Sequence, residues 1–247
     1  MATILDQHFL EDKEVLKEII AAAELSKEDL VLEIGAGKGV LTKELAKHCK
    51  KVIAIEIDEH LKQELGSLPK KVEIIFGNAL ELMGAFSFNK IVSNIPYSLS
   101  EPLLKRLLKL KLELAVLLVG KDFYELLTEK ESKWKIIVPL FYELEKICDV
   151  LRSSFVPPPR TDSVVLKFKI RTKALSTKEG ILKEIILQDD KKLRNALMFA
   201  LVRVKGLTKN QAREEIAKIK LAQEWWDKRV MDLSGVQFGV VVKEIVG

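Results

Sequence analysis

Short apolar runs alternate with stretches of helical periodicity through the first two thirds of the chain. Strand-like runs fall near 30–34, 51–57, 72–76, 89–93, 113–119 and 163–169, and apolar positions at helical spacing mark 12–24, 40–48, 59–65, 100–110 and 121–131. Near-continuous apolar runs suit strands covered by helices on both faces. The alternation therefore predicts an α/β fold with a mainly parallel sheet. A further strand around Leu144–Leu151 is expected to pair with 163–169. Between them, 153–163 holds three consecutive prolines and reads as a stiff exposed loop. After Ile170 the pattern is helical only: Lys178–Gln188 and Asp190–Val204 are amphipathic, and Thr208-x-x-Gln211 opens the next helix as a capping box. Trp225 and Trp226 are expected to pack this region, while Val236–Val242 is strand-like in composition and its state is left open.

Composition narrows the class. At 247 residues and 48% hydrophobic content, the chain can form one large domain or a large one plus a small one. We expect a division into 1–170 and 171–247, because the periodicity changes there and so does the charge. The first part carries a net charge of −1 and the second +6, within a total of +5. A basic tail suits a phosphate backbone, although a solvated helical surface has the same signature. No apolar run is long enough to span a membrane, and the start of the chain contains acids and lacks a signal-like apolar centre, so a cytoplasmic protein is expected. Cys49 and Cys148 make no metal-ligand cluster, and His8, His48 and His60 are scattered, so no metal site is expected.

Three constellations carry chemistry. Val31-Leu32-Glu33-Ile34 reads as a buried strand running into Gly35-Ala36-Gly37-Lys38-Gly39 and then a helix, a layout in which backbone approaches a nucleotide-like ligand because no Cβ intervenes. It is neither a P-loop nor the dinucleotide fingerprint, since no Gly-Lys-Ser/Thr ends it and Val40 stands at the last glycine position. About 20 residues on, Glu56 ends the second strand, where an acid accepts hydrogen bonds from ribose hydroxyls. Asp58 fits better as the N-cap of the next helix. Asn94-Ile95-Pro96-Tyr97 comes after the apolar pair Ile91-Val92 and gathers a carboxamide, a stiff turn and an aromatic ring at a strand end. The Asn94 oxygen and the Ile95 carbonyl suit the two protons of an exocyclic amine, and Tyr97 offers a stacking surface. Taken alone, the tetrapeptide is also an ordinary turn.

Together these segments resemble the class I S-adenosylmethionine methyltransferases acting on adenine N6. Gln7-His8-Phe9-Leu10, the segment Phe155–Ser163 with its Phe-x-Pro-x-Pro pattern, and Lys191-Lys192-Leu193-Arg194-Asn195-Ala196-Leu197 narrow the resemblance to the small-subunit rRNA adenine dimethyltransferases over roughly residues 5–200. His8 and the Asn-Ile-Pro-Tyr form lean towards archaeal members. The resemblance implies a Rossmann-like, mostly parallel seven-stranded sheet with a small all-α C-terminal domain. It also implies S-adenosyl-L-methionine as cofactor and small-subunit rRNA within an immature ribosomal subunit as partner. We expect a monomer.

The implied reaction is repeated methyl transfer to adenine N6 on two adjacent adenosines near the 3′ end of that RNA, coupled to ribosome biogenesis. Asn94, Pro96 and Tyr97 would hold the base, with Phe155 helping to sandwich it. Gly35, Gly37, Glu56, Asn78 and Asn94 would line the cofactor site, with His8 and Leu10 closing over its methionine end. At Asn78 the family usually has Asp; the amide can still accept from the cofactor adenine, without charge, so weaker binding is expected, and Asn78→Asp should tighten it. Gly120-Lys121-Asp122 replaces a usual Gln-Lys-Glu, and Trp134-Lys135 a Tyr-Gly pair. Two rivals remain: a large-subunit rRNA methyltransferase of the erythromycin-resistance type, and a ribosome-assembly factor with incidental catalysis.

Overall fold

The structure, a computed structural model, describes residues 7–129 and 131–246. Its strands in chain order are β1 (Phe9–Leu10), β2 (Leu30–Ile34), β3 (Lys51–Glu56), β4 (Val72–Phe76), β5 (Lys90–Asn94), β6 (Leu114–Gly120), β7 (Tyr142–Val150), β8 (Phe155–Val156) and β9 (Ser163–Ile170). Seven form one sheet in the order β4-β3-β2-β5-β6-β9-β7. β2, β3, β4, β5 and β6 pair in parallel, and β9 runs antiparallel to β6. All of β6 is buried, as are Ile91 and Val92 of β5, which explains why these strands read as unbroken apolar runs. β1 and β8 make a separate antiparallel pair.

The order reverses between β2 and β5, and an open α/β sheet admits ligands at such a switch point, beyond the carboxyl ends of its strands. Here the two strands pair only at Val31–Lys90 and Leu32–Ile91. Further along, the Ser93 hydroxyl donates to the Ile34 carbonyl and accepts from the Ile34 N–H at 3.1 Å. One side chain thus replaces the ladder where the strands splay, satisfying backbone groups that would otherwise be buried without partners.

The chain divides into two compact units. One runs to Glu125 and resumes over Glu143–Ile170; the other comprises Leu126–Tyr142 and the chain from Arg171 onward. The second therefore takes in a segment that the sequence grouped with the first. Arg171 accounts for part of this: its backbone N–H donates to Phe141, its guanidinium donates to the Pro139 carbonyl and pairs with Glu179 at 3.0 Å. The second unit is built of helices, including Lys133–Ile137, Thr177–Leu187, Leu193–Lys205, Lys209–Ala217 and Gly235–Val246. Trp226 is buried in it, and the Thr208–Gln211 capping box forms as expected. Val236–Val242 is helical. Ser234 and Gln237 cap that helix reciprocally, and this start signal outweighs the β-branched composition. Among the described residues no helix is long and apolar enough to cross a membrane.

Candidate active site

A cavity of about 470 Å³ opens at the switch point. Its walls bring together His8, Leu10, Gly35, Gly37, Glu56, Asn78, Asn94, Pro96 and Tyr97, nine residues singled out from sequence and scattered over ninety positions. Among the described residues no group of three His, Cys, Asp or Glu side chains could hold a metal ion.

The floor is the glycine turn. Gly35, Gly37 and Gly39 have φ of +75°, +54° and +76°, a region that L side chains rarely adopt. A Cβ at Gly37 would stand 3.1 Å from the Phe9 ring. Glu56 ends β3 beside this turn. Its Oε2 accepts from the Gly37 N–H at 2.8 Å and its Oε1 from the Asp58 N–H at 2.9 Å, so the backbone holds the carboxylate in place with lone pairs left for a diol. Asp58 is the N-cap expected of it, accepting from His60 N–H at 3.0 Å. It also accepts from Gln7 Nε2 at 3.0 Å, which ties the N-terminal segment across the site. These two side-chain and backbone bonds hold its carboxyl below the ordinary value.

Asn94 sits at the end of β5. Its Nδ2 donates to the His8 carbonyl at 3.0 Å, which sets the direction of the amide and leaves Oδ1 as its remaining acceptor. The His8 Nδ1–H donates to the Pro157 carbonyl at 2.9 Å, and its ring lies 5.9 Å from the Tyr97 ring. The Tyr97 hydroxyl meets Ser163 Oγ. Gly120 packs against the Tyr97 ring: a Cβ there would lie 3.2 Å from it. Asn78 caps the short helix Ala79–Leu82, its Oδ1 accepting from Leu80 N–H at 3.0 Å while its Nδ2 donates to Glu81 at 2.9 Å.

Phe155 is not brought to the cavity. It is 2% exposed and packed in the core, so no ring face is open to a base. The pleat of β8 sends Phe155 inward and Val156 outward, and Phe155 pairs across the strands with Leu10. In this arrangement its work is to anchor the strand that carries His8 to the site.

Glu33 belongs to the turn motif, yet the sequence alone gives it no role. The residue borders the cavity, is 1% exposed, and its buried Oε2 has no hydrogen-bond partner. Burial pushes its carboxyl up to about 8, and the neighbouring Glu56 charge adds to the rise. The Thr42 hydroxyl moderates this without reaching hydrogen-bond geometry. An acid inside an otherwise apolar strand was the available signal.

A glycine turn, an acid-tipped second strand and a carboxamide turn around the switch point of a seven-stranded sheet define a Rossmann-like methyltransferase. The family model described as ribosomal RNA adenine dimethylase matches residues 2–226, and the chain belongs to that family. A probable ribosomal RNA small subunit methyltransferase A of Methanococcus maripaludis is 35% identical over 238 residues, covering 91% of this chain and 90% of the relative. One from Methanococcus aeolicus is 41% identical over 172 residues, 66% of this chain and 64% of the relative's length. The crystal structure of a dimethyladenosine transferase from Plasmodium falciparum is 28% identical, covers 97% of this chain and 98% of that one, and superposes with a TM-score of 0.64.

Proposed function

We propose that the protein uses S-adenosylmethionine to dimethylate N6 of two adjacent adenosines near the 3′ end of small-subunit rRNA, acting on an immature ribosomal subunit. The observation that carries this reading is the Asn94 amide, anchored through Nδ2 on His8 and offering Oδ1 at the mouth of the glycine-floored cavity. The cavity fits the cofactor. The turn brings glycine backbone to the cavity wall in a conformation that L side chains rarely adopt, and Glu56 is held ready for a ribose. Gly35, Gly37, Glu56, Asn78, His8 and Leu10 would hold it. When bound, S-adenosylmethionine supplies an electrophilic methyl group on a sulfonium.

The protein's contribution is alignment. The lone pair of an adenine amine is delocalised into the ring. Asn94 Oδ1 and the Ile95 carbonyl, accepting its protons, favour the pyramidal nitrogen that attacks. Pro96 keeps that carbonyl in a stiff turn, and Tyr97, seated between Gly120 and Ser163, stacks the extruded base, offsetting an unstacking cost of a few kcal/mol. The basic unit from Arg171 onward would grip the RNA backbone.

Purified protein incubated with immature small subunits and radiolabelled S-adenosylmethionine should place label in N6,N6-dimethyladenosine, with product nucleosides resolved by mass. Transfer to large-subunit rRNA in a parallel incubation with none to the small subunit, or binding without transfer, would refute the assignment.

A further inference from the structure

Ser163, the last residue of the proline-rich segment, is fully buried and does not border the cavity, but its hydroxyl meets that of Tyr97, which does. Gly120 ends β6 and Ser163 begins β9, and the two are register partners in that antiparallel pair. Side chains of such partners leave the same face of the sheet. The Tyr97 ring therefore lies on bare backbone at one position, where a Cβ would stand 3.2 Å from it, and its hydroxyl finds a partner at the other. Ser163 is itself held from two sides. The Lys121 N–H donates to the Asp162 carbonyl at 2.9 Å, and Asp162 Oδ1 accepts from the Arg152 N–H at 2.9 Å. The start of β9 is thus tied both to the residue after β6 and to the turn before β8.

We propose that Ser163 is a positioning residue for adenine methylation: through the Tyr97 hydroxyl it fixes the ring on which the base stacks, and the second transfer depends on it more than the first. This rests on Asn94-Ile95-Pro96-Tyr97 being the adenine site and deepens that reading. Each transfer forms an N6–carbon bond from the amine lone pair, breaks the sulfur–methyl bond with its electron pair left on sulfur, and sends one N6 proton to solvent. Adenine enters the first transfer with two amine protons, which match two acceptors, Asn94 Oδ1 and the Ile95 carbonyl. N6-methyladenine enters the second with one. An acceptor is then left without a proton to hold, so more of the alignment falls to the stacked ring and to whatever fixes that ring.

Ser163→Ala and Tyr97→Phe remove opposite ends of one hydrogen bond, and the second leaves both the ring and the buried serine in place. The two variants and their combination are incubated with immature small subunits and radiolabelled S-adenosylmethionine, and N6-methyladenosine and N6,N6-dimethyladenosine are resolved over time. Losing one neutral hydrogen bond should slow the second transfer by about five- to tenfold and the first by no more than about twofold, so that monomethylated product accumulates. The combined variant should be no slower than the slower single one, because the bond is already gone. Losses that multiply in the combination, or that fall equally on both transfers, overturn the proposal, since Ser163 would then act through general packing of the sheet. A Tyr97→Phe protein that dimethylates like wild type overturns it too, whatever Ser163→Ala does to folding. Absence of transfer by the wild type to any rRNA overturns the reading of the site itself, and this proposal with it.

Discussion

The amide at position 78 cannot be separated from the carboxylate at 81. From sequence alone, Asn78→Asp should restore the family's usual charge and tighten cofactor binding. In the structure, Asn78 Nδ2 donates to Glu81 Oε1 at 2.9 Å, so an aspartate there would face another carboxylate. Like charges that close oppose ionisation of both. Asn78→Asp alone should therefore leave affinity within about twofold of wild type, while Asn78→Asp with Glu81→Ala should tighten it several-fold, as read by calorimetry. A gain from the single change would mean that Glu81 swings away in solution. Glu33 supports a second prediction, on stability. Its folded value is about 8 against an ordinary 4.5, so between those limits the folded chain holds a proton that the unfolded chain has released. Stability should fall as pH rises through that window and level off above it. Glu33→Gln removes the effect. Denaturant unfolding without cofactor should show the variant gaining on wild type by on the order of 3 kcal/mol between pH 5 and pH 8. Equal pH profiles would show that Glu33 is already ionised.

At the scale of elements, the central strands were legible because burial on both faces leaves a continuous apolar run; β2 and β4 fall within the bounds expected for them, and the other sheet strands within two residues. The β1–β8 pair was not legible. Two residues are too few for any period, and Phe9-Leu10 and Phe155-Val156 find each other with most of the central sheet between them in the sequence. That pairing also misled the reading of Phe155, since a motif names a residue but the pleat decides which way it faces. The same small sheet suspends the N-terminal strap over the glycine turn, and Gly37 is where they touch. Gly37→Ala adds a side chain at φ +54° and 3.1 Å from Phe9. We expect about 1 kcal/mol of backbone strain, faster hydrogen exchange at Phe9 and Leu10, and cofactor affinity reduced at least about tenfold. An unchanged exchange pattern would show that the strap does not rest on the turn.

Across the whole molecule, the sequence carried more about the cavity than about where its units divide. Site residues cluster in short motifs at strand ends, whereas the second unit recruits Leu126–Tyr142 through contacts such as those of Arg171, which leave no local trace. Charge, by contrast, was readable at once: the excess of +6 lies beyond residue 170. On the Leu193–Lys205 helix and its approach, those cations are not equivalent. Lys192 is paired with Asp227 at 3.0 Å and Lys205 with Glu215 at 2.8 Å, so each is already partly neutralised. Lys191 instead rests over the exposed Phe199 ring, 5.1 Å from its centroid, a contact that leaves its charge directed outward. Arg203 shares that ring at 6.0 Å while leaning on Glu184. If this surface holds RNA through phosphates, Lys191 should matter more than Lys192. Lys191→Glu should weaken binding to small-subunit rRNA several-fold and lower the slope of log affinity against log salt by about 1 to 2. Cofactor affinity should stay unchanged, and Lys192→Glu should have the smaller effect. Equal losses from the two changes would mean that the RNA senses only the summed charge of the unit and not the way Phe199 presents Lys191.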